Sequence, residues 1–490
     1  MIDKLIEIFS PQTALQRLQA RSMLAYYEAS KPTRNRKNPA DNNSGNRLAI
    51  QSAVTLRGQA RQLEQNHDLA KSVLRELVNK TVGSKGIQVE CLARNAKGEI
   101  DLEFAKRVNE LWKNWCLTCD TTGENSFSMA QRLMAYSKYR DGEVFNRLVS
   151  GNVPGLEHAT KVPLTIQLME ADFVPFFDNQ NQNLIQGVTV SNWGKILSYQ
   201  AYRFDPRESF KDNKFDIIFA NNMAHGKNIE RIGQIRGISK FAQVLNRLND
   251  LKDYEDSERT AAKISASMAA YIKKGTPDLY DGDAETEDRE LDIQSGMIFD
   301  GLYPGEDVGT LQSNRPSHLL QPFRDSMLKA VASGTGAGYA PVSNNYDGTY
   351  SAQRQQLIDN WINYEVLQDE FIHQLIRPTY ERFVKMAVAS GAVSTRGLNI
   401  ETLTDADYRG PVMPWIDPLK EANAHVVKLA ARLVSPQKVM RQAGDNPTEV
   451  LTQFKQFIDQ LDKLGLQEPE YLGPTATTDS TAQPEPPKNN

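Results

Sequence analysis

The sequence predicts an α+β fold built around long helices, and three observations carry that expectation. Apolar residues recur at helical spacing from Leu56 onward. Short β-rich segments separated by turn residues follow between 162 and 220. A run without Gly or Pro, 240–274, then keeps an i, i+3, i+4 stripe through Phe241, Val244, Leu245, Leu248 and Leu251. Strands that follow helices, rather than alternate with them, argue for α+β.

The elements read in order as follows. Residues 10–50 form an extended arm. Its stretch 30–46 holds Arg34, Arg36, Lys37, two prolines and several Asn, with almost nothing apolar to bury, so it is ordered only against a partner or not at all. Leu56, Leu63, Leu69, Val73, Leu74 and Leu77 read as one helical run that Gly83 and Gly86 end. A second helix over 102–115 puts Phe104, Val108, Leu111, Trp112 and Trp115 on one face, and a third covers 128–139. Strands are expected at 162–170, 185–190, 197–204 and 215–220. The 240–274 run reads as one helix of about 50 Å, or two with a bend, capped by Ser239 and stopped by Gly275 and Pro277; Ile264, Met268 and Ile272 resume its stripe.

An acidic insertion follows, with Asp278, Asp281, Asp283, Glu285, Glu287, Asp288, Glu290 and Asp292 against Arg289 alone. It reads as a solvated face or a divalent-cation site, although the Gly and closing Glu of a calcium loop are not at their spacing. A strand is expected at 296–302 and a helix at 317–331. The Ser-Gly-Thr-Gly-Ala-Gly stretch at 333–338 follows a helix and lacks a Walker Lys, so it is not a phosphate cradle. Residues 334–350 read instead as a long polar loop carrying Asn344, Asn345, Tyr346 and Tyr350. A helix from Ser351 carries Leu357, Trp361, Tyr364, Phe371 and Leu375, with Pro378 kinking it. Asp417-Pro418 and Asn446-Pro447 read as N-caps followed by proline, making 418–464 helical. The Pro-, Thr- and Ser-rich tail from 467 reads as disordered.

Composition bounds the function. The 490 residues correspond to roughly three structural units. A 40% hydrophobic, 24% charged chain is neither wholly disordered nor collagen-like. Mean hydropathy is −0.53, and no run of about 18 apolar residues occurs, so no membrane span is expected. Asp3, Lys4 and Glu7 interrupt the first residues, which therefore do not read as a secretory signal. Net charge is −4, from 57 Lys+Arg against 61 Asp+Glu; a protein that grips duplex DNA carries a basic excess, so contact with nucleic acid should be loose or confined to a patch.

Three cysteines make no disulfide framework, which points to a reducing compartment. Cys116 and Cys119 form a CxxC, readable as a redox dithiol or half a zinc site, but Cys91 lies 25 residues upstream and no second CxxC or His pair completes a set. The structural reading, buried thiols packing as small hydrophobes, is the better one. No Walker A, H-E-x-x-H or G-x-S-x-G occurs, and the six histidines are scattered. No catalytic residue, metal ligand or cofactor site is assigned, and the chain is not expected to be an enzyme.

The order of local phrases resembles the lambda-type family of tailed-phage portal proteins, the head–tail connectors. Arg57 to Gly86 is similar to the family's early helix and Val-Gly turn. Asp141-Gly142-Glu143-Val144-Phe145 matches its DGEVF phrase, and Leu168-Met169-Glu170-Ala171-Asp172 its strand ending in Glu-x-Asp. Gln234-Ile235-Arg236-Gly237-Ile238-Ser239 matches Q-x-R-G-x-S at the start of the long helix. Pro304-Gly305-Glu306 and Arg315-Pro316 follow, then Tyr350-Ser351-Ala352-Gln353-Arg354, with Thr349 and Ala352 as departures, and Asp417-Pro418-Leu419-Lys420-Glu421-Ala422.

This resemblance implies a dodecameric ring at one vertex of a phage head. The ring would be a passive channel for double-stranded DNA in packaging and ejection, docked first by the terminase large subunit and then by a head–tail adaptor. Major capsid and scaffold proteins are further implied partners; no membrane is. The location implied is the virion, with assembly in the host cytoplasm. Carried onto this chain, 1–50 is the arm, 51–238 the wing, 239–274 the long helix including the first stem helix, 275–312 the clip and 313–333 the second stem helix. Residues 334–350 are then the tunnel loop, with Asn344, Asn345, Tyr346 and Tyr350 facing DNA. Residues 351–417 are the kinked helix and return to the wing, 418–466 the crown and 467–490 the tail. Asp281, Asp283, Glu285 and Glu287 in the clip would dock terminase and adaptor. The other readings are a non-viral oligomeric scaffold and an enzyme using the CxxC for redox or metal chemistry.

Overall fold

Helix α1 (Gly45–Asn66) begins where Ser44 caps it, its side chain accepting from the Arg47 N–H. The computed structural model describes residues 42–179, 183–208, 214–266, 270–274, 306–310, 320–414 and 417–466. The last residues of the expected arm, 45–50, are therefore helical, and the helical run read as one is two. His67 is extended between α1 and α2 (Asp68–Thr81). Its ring lies 3.2 Å from the Leu248 carbonyl oxygen, and Asp68 accepts from the Leu69 N–H at 2.8 Å.

After β1 (Gln88–Cys91) comes α3 (Leu102–Trp115), on the bounds its apolar spacing predicts. Helix α4 (Phe127–Asp141) follows, capped by Ser126 and closed by Gly142 at φ 96°. Trp112 and Trp115 stack at 4.8 Å and meet Phe127 and Phe383, so α3, α4 and a late helix share the main core. The strands then come in two antiparallel groups. β2 (Glu143–Ser150) pairs with β3 (Leu164–Glu170) on one side. A four-stranded sheet, β4 (Leu184–Ile185), β5 (Val188–Val190), β6 (Ile196–Tyr202) and β7 (Phe215–Phe219), runs in that order over its own small core of Phe145, Tyr199 and Ile218. β8 (Met223–Lys227) returns to the free side of β2.

Residues 240–274 are not one helix. Ser239 accepts from the Phe241 N–H and opens a turn rather than a helix. Helix α5 spans only Leu245–Ala266, 22 residues or about 33 Å. β9 (Ala270–Lys274) then pairs with β10 (Glu306–Thr310), Ile272 opposite Val308. Freedom from Gly and Pro permits a helix without requiring one, and here a strand partner more than thirty residues away decides. α6 (Leu320–Thr335) comes back antiparallel to α5. Tyr254 meets Phe323 at 4.7 Å, Arg324 pairs with Glu255 at 2.8 Å, and a Cβ on Gly334 would lie 2.6 Å from Val244. The second helix therefore runs past its expected end at 331. The expected long loop contains a short helix, α7 (Tyr339–Ser343), which leaves 344–349 as the open segment.

α8 (Tyr350–Phe371) passes through a π turn, Ile372–Ile376, into α9 (Arg377–Ala389). Pro378 lacks the N–H an α-helix needs, and the wider turn ahead of it absorbs that loss. The Thr379 hydroxyl donates to the Leu375 carbonyl at 2.7 Å. Gln374 and Leu375 of the π turn meet β8: Gln374 accepts from the Lys227 N–H at 2.8 Å, and Gly226 leaves room for Leu375. β11 (Ala406–Arg409) closes on β1. The C-terminal part holds α10 (Pro418–Ala430), α11 (Pro436–Gln442) and α12 (Pro447–Leu464). Asp417 and Asn446 cap α10 and α12 as their spacing predicts.

Gly142 and Gly237 touch backbone to backbone: a Cβ on Gly237 would sit 2.0 Å from the Gly142 carbonyl oxygen. Gly237→Ala should therefore cost about 3 kcal/mol by overpacking, read as a lower urea midpoint; an unchanged midpoint would contradict this contact.

Candidate functional site

Four of the phrases that are far apart in sequence meet at one buried place. Glu143, wholly buried, accepts from Arg236 Nε at 2.9 and 3.0 Å and from Arg236 Nη2 at 2.7 Å. It also accepts from the Gly237 N–H at 3.1 Å and from Arg57 at 3.3 Å, and lies 3.2 Å from His225 Nε2. The other Arg236 protons go to the carbonyls of Gln186 at 2.7 Å and Val174 at 2.8 Å, and its guanidinium lies 4.0 Å above the Phe176 ring. A second layer continues outward. Asp141 takes both Arg61 and Arg140 in forked pairs between 2.7 and 2.9 Å, Asp172 takes Arg57 and Arg61, and Glu170 takes Arg140 and Arg207 at 2.8 Å.

The electrostatics follow from that geometry. Burial alone would raise the Glu143 carboxyl, but the Arg236 charge and the hydrogen bonds from His225 and Arg236 outweigh it and hold it far below the carboxylate range. His225, buried and stacked on Phe145 at 4.3 Å, is pushed down to about 4 by burial, against the upward pull of Glu143. It is neutral at pH 7 and donates through Nε2. The Asn228 N–H donates to the Gly142 carbonyl at 2.9 Å, and its side chain donates to the Lys138 carbonyl at 2.8 Å. Together these bonds lock the segment leading into α5 against α4 and β2. Lys138 itself is buried, its ammonium lowered to about 8 by burial despite the Glu370 carboxylate 3.2 Å away on α8.

The open segment 344–349 stands on a root held from α2 and α8. The Tyr364 hydroxyl donates to Glu76 at 3.0 Å and accepts from the Gly338 N–H at 2.9 Å, and Ser72 donates to the Val342 carbonyl at 3.3 Å. Asn344, at φ 53°, ends α7 in the left-handed conformation that Asn tolerates. Asn345 accepts from the Asp347 N–H at 2.9 Å, and the Tyr346 carbonyl accepts from the Gln353 side chain. Thr349 caps α8 by accepting from the Ala352 N–H, so this departure from the family phrase keeps a capping residue. Asn344, Asn345 and Tyr346 are thus brought together in one short exposed turn. Tyr350, also exposed, is the first residue of α8.

Asp281, Asp283, Glu285 and Glu287 lie outside the described residues, as do the tail and residues 1–41. Cys116 and Cys119 sit at the end of α3. Burial raises Cys119 to about 12 and Cys116 well above its ordinary value, which leaves thiols rather than nucleophilic thiolates. Among the described residues no cluster of three or more His, Cys, Asp or Glu is placed to hold a metal, and no helix is long and apolar enough to cross a membrane. The root residues Ser72, Glu76 and Tyr364 went unassigned in the sequence. Tyr364 reads there as one member of an apolar stripe, and nothing marks its hydroxyl as used.

The proteins this chain resembles along most of its length are portal proteins. It is 24% identical to a probable portal protein of Halomonas phage phiHAP-1, covering 85% of this chain and 82% of that one. It is 20% identical to portal protein B of Escherichia phage lambda, covering 75% and 76%. Residues 31–368 match the lambda family of phage portal proteins, and the chain belongs to that family. Among solved structures it is similar to a chain in the virion of a native gene transfer agent particle, at 12% identity and TM-score 0.42, covering 82% of this chain and 99% of that one.

Because the folded chain holds His225 neutral down to about pH 4, an unfolded chain takes up that proton first as pH falls below 6.5. Stability should therefore decline from pH 6.5 to about 4, by up to about 3 kcal/mol for this group. His225→Gln, which keeps a donor toward Glu143, should flatten that part of the profile. Urea unfolding across pH checks it; equal slopes in both proteins would remove His225 as the cause.

Proposed function

We propose that the chain works as a ring, twelve copies as in the family it resembles, at one vertex of a phage head. Double-stranded DNA passes through the central channel, inward during packaging and outward at ejection, and the ring itself carries out no catalytic step. In this reading the α5/α6 pair is the stem. The segment 275–312, which begins and ends near the β9/β10 pair, is the clip, residues 51–238 are the wing, and α10–α12 form the crown inside the head. The observation that supports the channel assignment is the chemistry of 344–349. This turn offers Asn344, Asn345, Tyr346 and Asp347 but no cation, on a root tied down by buried hydrogen bonds. Without Lys or Arg it neutralises no phosphates and releases no counterions, so DNA can slide past it.

Terminase large subunit and then a head–tail adaptor dock at the clip, where Asp281, Asp283, Glu285 and Glu287 attract basic surfaces. Capsid and scaffold proteins meet the wing, and assembly takes place in the host cytoplasm before the ring becomes part of the virion.

Negative-stain electron microscopy of the protein co-expressed with its capsid and scaffold proteins tests the ring. Rings with a central hole, near twelve chain masses, are expected; heads carrying only monomer or compact dimer would overturn the reading. Deleting 345–347 should leave rings intact and reduce DNA packaged per head, and normal packaging would remove the loop's role. Replacing all four clip carboxylates by amides should weaken adaptor and terminase binding most at low salt, and unchanged affinity would dispose of that assignment.

A further inference from the structure

One face of the four-stranded sheet packs on the small core of Phe145, Tyr199 and Ile218, and the other is open along its β7 edge. On its last strand, β7, Ile218 is buried, while Phe215, Ile217 and Phe219 alternate outward and are 42%, 65% and 64% exposed. Their register partners on β6 are Tyr202, Gln200 and Ser198. Phe215 extends the apolar surface through ring contacts with Tyr202 at 4.5 Å and Phe177 at 6.0 Å. Among the described residues no strand lies on the outer side of β7. An edge strand presenting large apolar side chains is a surface that proteins cover or break up with charge.

The chain's own N-terminal segment starts beside this sheet. Asn46 donates to the Gly233 carbonyl at 3.0 Å, its side-chain oxygen accepts from the Ile235 N–H at 2.8 Å, and its carbonyl accepts from the Gln186 side chain. Arg231 donates to the Asn43 carbonyl at 2.7 Å. Gln186-Gly187 is the turn between β4 and β5. The Gly187 carbonyl accepts from the Gln200 N–H at 2.9 Å, and Gln200 faces Ile217 across the β6/β7 ladder. With strands about 4.8 Å apart, that turn is roughly 10 Å from the exposed stripe. Residues 1–29 carry Leu5, Ile8, Phe9, Leu15, Leu18 and Leu24, and the thirteen residues between them and the clamp span up to about 43 Å.

We propose that apolar residues of segment 1–29 cover the Phe215, Ile217 and Phe219 stripe of their own chain. The clamp at 43–46 fixes the root of the segment beside the sheet, so covering the stripe is a short-range event within one chain. The basic stretch with Arg34, Arg36 and Lys37 bridges root and stripe.

The test places p-benzoylphenylalanine at Ile217 of the full chain, an exposed position that tolerates it, and illuminates the purified protein. The expected product migrates at single-chain mass and joins residue 217 to a peptide within 1–29. A product of double mass would assign the stripe to a neighbouring copy, and crosslinks only to other partners or peptides would assign it elsewhere; either result, or no crosslink, overturns the proposal. In parallel, deletion of residues 2–29 should speed hydrogen exchange of the β7 amides by about tenfold, and unchanged rates would overturn it equally.

Discussion

The pair between Glu143 and Arg236 is the constraint on which the rest of the fold hangs. Taking a carboxylate and a guanidinium out of water costs several kcal/mol per ion, and their attraction offsets that only when the remaining lone pairs and protons also find partners. Here they do. Glu143 is satisfied by Arg236, Arg57, His225 and the Gly237 N–H, and Arg236 spends its other protons on backbone carbonyls near 174 and 186. Arg236 and Gly237 come from one segment and the other partners from separate elements, so one ion pair sets where β2, α1, β8, the β4/β5 turn and the lead into α5 sit relative to one another. Removing Glu143 would leave Arg236 charged and buried with backbone carbonyls alone, and removing Arg236 would leave Glu143 with Arg57 as its cation at 3.3 Å. The two glycines beside the pair, Gly142 and Gly237, let the backbones approach closely enough for the forked geometry to form.

From that junction a stiff path leads to the open turn at 344–349. Residues 237–244 are held against α4 by the Lys240 N–H on the Tyr139 carbonyl and by the close approach of Ile238 to Gly142, and α6 returns along α5 with Gly334 against Val244. Tyr364 and Ser72 then fix the short helix before the turn. Lys138 and Glu370 tie α4 to α8 on the other side. The turn at 344–349 therefore joins a root held by buried hydrogen bonds to an exposed surface that carries no cation.

Much of this was legible in the chain. The α+β character, the bounds of α3, the caps at Asp417 and Asn446, and the family phrases all come from local signals that survive folding. The failures share a cause, which is that distant partners decide. Residues 270–274 carry no breaker and continue a helical stripe through Ile272, yet they form a strand because 306–310 pair with them. The break at His67 falls where its ring meets the carbonyl of Leu248, far along the chain. β2 was visible as a phrase and not as a strand, since it pairs on both sides and five of its eight residues are buried, which removes the in-and-out alternation that marks a strand. The open turn is only the last part of the stretch read as a polar loop, 334–350, whose earlier residues are largely helical, and its root was hidden, because a tyrosine hydroxyl in an apolar stripe gives no sign of the bond it will make.

The π turn ahead of Pro378 has a further consequence for how this chain tolerates change. An α-helix advances about 100° per residue, so the residue accommodated in the wide turn sets the angular phase between α8 and α9. α8 presents Trp361, Tyr364 and Phe371 to the core, and α9 presents Tyr380, Phe383 and Ala387. Losing one residue between 372 and 376 would shorten the rod by little but rotate one of these faces out of the core. Length in this region is therefore a rotational coordinate. Substitutions can accumulate on either helix, whereas a single-residue insertion or deletion would turn Tyr364, and the loop root it holds, away from their partners.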